Sequence, residues 1–283
     1  MDPVTGVQPV SGRLFRPKGA DRLAILLHGL GGSPQSAYMT LLASAAHHMG
    51  MATLRLALRG ADGTGADFYH AGLTADLHAA LADPALSAYD EIVLAGLSLG
   101  GHVALRYATE NGDSRLRAVA AVSAPLDLAM ASTAIDRPLM APYRHYLLRG
   151  LLAHGERAIR AGILAESVER LRHVRTLREW DTLTVAPRFG FAGAADYYAR
   201  ASVGPRIGDL RCPALLLACE TDPMVPPDAI RPALSAAGHP PALTVHWTRG
   251  GHLAFPPGLN LGADGKPGWA GQTLAWLARP HES

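Results

Sequence analysis

Glu91-Ile92-Val93-Leu94-Ala95-Gly96-Leu97-Ser98-Leu99-Gly100-Gly101-His102-Val103-Ala104-Leu105-Arg106-Tyr107-Ala108 is an apolar strand pattern that runs through Gly-x-Ser-x-Gly into a helix-forming stretch. A serine on such a corner sits in a strained strand-to-helix turn, with its hydroxyl presented at the carboxyl edge of a sheet. Small residues flank it because the backbone passes too close to neighbouring elements to admit side chains. Three fixed positions recur by chance, and the bland alternative is a glycine turn whose serine caps a helix. The strand before and the helix after favour the nucleophile.

A nucleophilic serine needs a base, a group that orients the base, and donors for an oxyanion. On strand–turn–helix scaffolds of this kind the partners follow in the order serine, acid, histidine. The run Pro213-Ala214-Leu215-Leu216-Leu217-Ala218-Cys219 reads as a buried strand and leads into the turn Glu220-Thr221-Asp222-Pro223. Ala242-Leu243-Thr244-Val245-His246-Trp247 reads as another strand and leads into Thr248-Arg249-Gly250-Gly251-His252. Both candidates stand just beyond a strand end, where open α/β sheets assemble their sites.

The chain holds 13 histidines. His47 and His48 fall in a helical pattern, His78 and His173 in helix-like runs, His246 inside a strand and His281 in the terminal tail. Only His252 combines a post-strand loop, flanking glycines and the expected chain order. Among the acids, Glu220 lies too near its strand, and Asp228 reads as the cap that starts the next helix. Asp222, before a proline that fixes the turn, is the expected orienting acid. The oxyanion donors expected are the backbone N–H groups of Leu99, which follows the serine, and of Leu30. The latter lies in the glycine loop His28-Gly29-Leu30-Gly31-Gly32-Ser33-Pro34, after the strand Arg22–Leu27. That loop lacks both the Lys-Ser/Thr of a P-loop and the G-x-G-x-x-G pattern, which argues against nucleotide binding.

With 283 residues and 48% hydrophobic content, the chain can bury a full sheet with helices on both faces as one large domain. Strand patterns at about 22–28, 51–57, 91–97, 117–123, 213–219 and 242–247 alternate with helical ones, which reads as a mostly parallel sheet. The core is assigned to 1–125 and 206–283. The stretch 126–205 is too long and too helical for an ordinary crossover and reads as a cap over Ser98. Met130, Met140, Tyr143, Tyr146 and Leu147 are candidate cap liners, with Tyr143–Arg160 as an amphipathic helix. Gly258 to Gly268 reads as a surface loop before a last helix, Trp269–Ala278.

The net charge of +2 gives no basic face for nucleic acid. Arg170, Arg172, Arg175 and Arg178 are interleaved with Glu166, Glu169 and Glu179, the pattern of a solvated, ion-paired helix. Cys212 and Cys219 flank one strand roughly 23 Å apart, beyond disulfide reach. Met1 to Val4 lack a basic region followed by an apolar core, and no apolar run approaches the roughly 20 residues of a spanning helix, so the cytoplasm is the expected compartment.

Beyond the serine corner the chain resembles α/β-hydrolases of the YheT-like branch, which includes embryogenesis-associated and lipid-hydrolysing α/β-hydrolase-domain proteins. The matching stretches are His28–Ser33, Leu58-Arg59-Gly60, Tyr69-His70-Ala71-Gly72, Gly96–Gly101, Val122-Ser123-Ala124-Pro125-Leu126, Leu177-Arg178-Glu179-Trp180-Asp181, Asp196-Tyr197-Tyr198 and Gly250-Gly251-His252. Trp180 stands where the family pattern Arg-x-Phe-Asp carries phenylalanine. The resemblance implies an α/β-hydrolase fold with a helical cap insertion. It also implies hydrolysis of small carboxylic esters, acyl or lipid-like, by Ser98, His252 and Asp222, without a metal or organic cofactor. Thioesterase, amidase or acyltransferase chemistry shares the same machinery. A non-catalytic binding protein on this fold is the remaining alternative. The sequence leaves the oligomeric state open.

Overall fold

The computed structural model describes residues 4–110 and 112–280. The N-terminal reading at Met1 to Pro3 and the tail histidine His281 lie outside them. Among the described residues, seven strands form one sheet: β1 (Gly12–Phe15), β2 (Arg22–Leu27), β3 (Ala52–Leu56), β4 (Glu91–Leu97), β5 (Leu116–Val122), β6 (Ala214–Cys219) and β7 (Leu243–Thr248). Their spatial order is β1-β3-β2-β4-β5-β6-β7, with β1 antiparallel to β3 and every other pair parallel. The protein has the α/β-hydrolase fold.

The central strands are apolar throughout because each of their faces is covered. Along β2, Leu23, Ile25 and Leu27 join one core cluster while Ala24 and Leu26 join the other. Along β4 the same period of two sends Ile92 and Leu94 to the first and Val93, Ala95 and Leu97 to the second. The first face is covered by α2 (Ala75–Leu81), α3 (Leu99–Ala108) and α10 (Arg231–Ala236), through Leu77, Val103 and Leu234. The second is covered by α1 (Ala37–His48) and α11 (Trp269–Ala278), through Met39, Leu42, Leu274 and Leu277.

Strand β1 has no counterpart in the sequence reading. It is four residues long, pairs on one edge only and is largely exposed, so it carries no apolar run. The expected cap at Asp228 is also corrected. Asp228 lies inside a short 3-10 turn, Pro227–Ala229, because Pro227 supplies the preset first position and Pro226 precedes it.

Between β5 and β6 the chain forms α4 (Leu128–Ile135), α5 (Ala141–Arg160), α6 (Val168–Arg172), α7 (Leu177–Leu183), α8 (Val185–Phe189) and α9 (Ala194–Ala201). These helices share a third cluster, including Leu151, Trp180, Phe189 and Tyr197, into which the core contributes Phe68 and Ala71. In the interleaved charge run, Arg170 pairs with Glu166 at 3.0 Å and Arg172 with Glu156 at 3.1 Å. Glu179 is spent otherwise: it closes a capping box with Thr176 that starts α7.

A buried ion cluster fastens this layer to the sheet. Arg188 on α8 donates to both oxygens of Asp67, at 2.9 and 3.0 Å. Arg59 reaches Asp67 at 3.2 Å and Asp76 at 2.6 Å, with all three side chains at most 4% exposed. Removing one member leaves the others charged and buried. Asp67→Ala is expected to cost about 3–5 kcal/mol in urea denaturation; a loss below about 1 kcal/mol would contradict this role.

Candidate active site

Ser98 joins β4 to α3 with φ 52° and ψ −119°, a left-handed φ that a residue with a side chain adopts only under constraint. Its N–H donates to the Val122 carbonyl at 2.8 Å, and its carbonyl accepts from the His102 N–H at 3.0 Å. The glycines around it are required by contact. A Cβ on Gly96 would lie 2.2 Å from the Gly100 carbonyl oxygen, and one on Gly100 would lie 2.4 Å from that of His28. The corner can therefore form only with glycine at both positions.

Asp222 and His252 come together across the ends of β6 and β7. His252 Nδ1 donates to Asp222 Oδ2 at 2.8 Å, and the two side chains are 9% and 1% exposed. Asp222 Oδ1 accepts the Met224 and Val225 N–H groups at 2.9 and 3.0 Å, which fixes the carboxylate in its turn. With Nδ1 bound in this way, the neutral imidazole keeps Nε2 as its acceptor. The loop that carries His252 is held at Gly250, where a Cβ would lie 2.2 Å from the Ala254 carbonyl oxygen. It is also held at Leu253, whose N–H donates to Ser123 Oγ at 3.3 Å.

Ser98, Leu99, Leu30 and His252 all line one cavity of about 210 Å³. Asp222 stands behind His252. The Leu99 N–H opens helix α3 and has no partner within it. Leu30 lies between Gly29, where a Cβ would come 3.2 Å from Ser98 Cβ, and Gly31, whose N–H donates to the Tyr69 hydroxyl at 2.8 Å. Tyr69 is thus a tether for the glycine loop. The sequence reading quoted it only as part of a matching stretch.

His28, which precedes that loop, is held neutral. Its Nδ1 donates to the Gly29 carbonyl at 2.8 Å, and its Nε2 accepts the Leu58 N–H at 3.1 Å. Burial pushes its pKa down to about 4. Between pH 6.5 and about 4 the unfolded chain takes up a proton here that the folded chain does not. Stability therefore drops as the pH is lowered through this window, by about 1.4 kcal/mol per pH unit from this group. His28→Asn is expected to flatten urea stability between pH 6.5 and 4 by that slope, and an unchanged slope would contradict the assignment.

The helical layer supplies the cavity's other walls. Tyr143, Tyr146 and Leu147 of α5 line it, as do Leu128, Ile135, Trp180 and Val185. Of the liners expected from sequence, Met130 and Met140 are not among them: Met130 is 37% exposed, and Met140 packs against the sheet-side core. Asp181, Tyr198 and Ser132 form a polar group in the same wall that sequence reasoning missed. Its signal lay in the stretches Leu177–Asp181 and Asp196–Tyr198, which matched the family without an assigned role.

Residues 24–258 match the model of an alpha/beta hydrolase family. The chain is 31% identical over 245 residues to a putative esterase, YheT, of Escherichia coli, covering 84% of this chain and 71% of that protein. It is 30% identical over 168 residues to a monoacylglycerol lipase of Saccharomyces cerevisiae, covering 56% of this chain and 37% of that one. Among solved structures, an esterase of Pyrococcus furiosus superposes with a TM-score of 0.55 at 16% identity, covering 87% of this chain and 85% of that one. That last likeness is one of fold. Among the described residues, no helix is long and apolar enough to cross a membrane.

Proposed function

Because the chain belongs to the alpha/beta hydrolase family, in its YheT-like branch, we propose that it hydrolyses small carboxylic esters with Ser98 as nucleophile, His252 as base and Asp222 as the orienting acid. The observation that carries this reading is the Asp222–His252 hydrogen bond of 2.8 Å beside a cavity that His252 shares with the strained Ser98. The esterase and lipase names of two relatives support esters as the substrate class.

In this reading Ser98 Oγ attacks the ester carbonyl carbon while His252 Nε2 takes the hydroxyl proton. Asp222 holds the imidazole in the tautomer that leaves Nε2 free and stabilises the imidazolium that forms. The Leu30 and Leu99 N–H groups receive the negative charge that develops on the carbonyl oxygen. The proton passes from His252 to the departing alcohol, and an acyl group remains on Ser98. Water, deprotonated by His252, then attacks that acyl group and releases the acid and the free serine. The stretch 126–205 serves as a cap on a single domain, and its apolar side chains hold the acyl chain.

The test is hydrolysis of p-nitrophenyl esters from acetate to palmitate. Turnover with an optimum along the series is expected, because a cavity of fixed size excludes long chains and holds short ones weakly. Absence of turnover at every chain length would overturn the proposal.

A further inference from the structure

Three polar side chains in the cavity wall have no part in the chemistry at Ser98. Asp181 on α7, Tyr198 on α9 and Ser132 on α4 line the cavity together. The Tyr198 hydroxyl donates to Asp181 Oδ2 at 2.6 Å. Its oxygen lies 2.9 Å from Ser132 Oγ, so the serine hydroxyl is the donor in that second bond. Asp181 Oδ1 receives no hydrogen bond from the described residues. Leu128, Ala131, Leu177 and Val185 line the same cavity, and the neighbouring Tyr197 hydroxyl accepts the Ala71 N–H at 2.9 Å.

Holding three helices together does not call for a carboxyl group, since apolar residues of similar size do so at equal or lower cost. Asp181 Oδ1 faces a cavity with its hydrogen-bonding capacity free, so a ligand seated there can use it, and one that covers it without pairing it does so at a cost. Burial pushes the Asp181 carboxyl up to about 7, so near neutral pH it offers both a donor and an acceptor. The geometry points to Asp181, Tyr198 and Ser132 as a specificity site for a hydroxyl group carried by the ester substrate, separated from the scissile carbonyl by an apolar segment. This inference rests on the ester reading above.

A hydroxyl suits the site better than a cation does. The Arg178 guanidinium already lies over the Tyr198 ring, 5.3 Å from its centroid, and opposes a second positive charge there. The nearby Asp136 carboxylate is occupied by the Leu177 and Arg178 N–H groups, at 2.8 and 3.3 Å. An alkyl chain in the same place would leave the Asp181 oxygen unpaired, and sites built to bind a substrate hydroxyl discriminate strongly against analogues that lack it.

The test compares kcat/KM for four esters of matched length: an alkyl ester, an ester with a terminal hydroxyl on the acyl chain, a glycol monoester and a choline ester. At least one hydroxylated ester should exceed the alkyl ester by about tenfold or more, and the one that does tells whether the hydroxyl sits on the acyl or the alcohol side. Tyr198→Phe and Asp181→Leu should bring that ratio close to one, with Ser132→Ala as the milder variant if either fails to fold. A merely structural role would lower Tm and both rates together and leave the ratio intact, which would overturn the inference. So would a wild-type ratio near one, or the choline ester as the best substrate. Turnover of none of the four would defeat the ester reading itself, whereas alkyl turnover without a hydroxyl preference defeats only this inference.

Discussion

Ser98→Ala is expected to lower kcat for p-nitrophenyl butyrate by about 10⁵- to 10⁶-fold, and His252→Ala by a similar factor. In the proposed mechanism the two groups act in one step: without the base the hydroxyl is a poor nucleophile, and without the hydroxyl the base has nothing to activate. The double variant should therefore be no slower than either single one. Residual turnover would come from the Leu30 and Leu99 amides and from substrate binding. Both variants should fold, since Ser98 lines the cavity and the His252 side chain meets Asp222 at its edge. Circular dichroism beside the kinetics checks that point. If His252→Ala kept near-native turnover, another group would be the base.

Gly100→Ala is expected to destabilise the protein by about 4 kcal/mol or more, or to abolish soluble expression. The added methyl would sit 2.4 Å from the His28 carbonyl oxygen and 2.6 Å from that of Leu27, both backbone atoms at the end of β2. Neither can retreat, because β2 is paired on both sides, to β3 and β4. Gly150→Ala is the contrasting control. Gly150 lies on the exposed side of α5, a Cβ there meets nothing within 4 Å, and the change should stabilise the helix by about 0.5–1 kcal/mol. Thermal melting of the two variants reads both effects. A Gly100→Ala protein that melts like the wild type would contradict the close approach of the serine corner to β2.

The central sheet was legible in the sequence because β2, β4, β5 and β6 are buried on both faces, which forces near-continuous apolar runs with ends set by turn residues. β1 was not, because an exposed edge strand needs no such run. The carboxyl-edge residues were legible for a related reason. Ser98, Asp222 and His252 each follow a readable strand, and chain order selects one histidine among many. The walls were much less legible. Tyr143, Tyr146 and Leu147 reach the cavity while Met130 and Met140 do not, and that difference is set by how the helical layer packs against the sheet. Asp181 and Tyr198 lie 17 residues apart on separate helices, so their hydrogen bond is a product of tertiary packing alone.

Covalent labelling by a fluorophosphonate, followed by peptide mass spectrometry, interrogates the nucleophile without assuming a substrate. One adduct, on Ser98, is expected, absent from Ser98→Ala and formed far more slowly in His252→Ala. An adduct on another residue, or none at all in a protein that still turns over esters, would contradict Ser98 as the nucleophile.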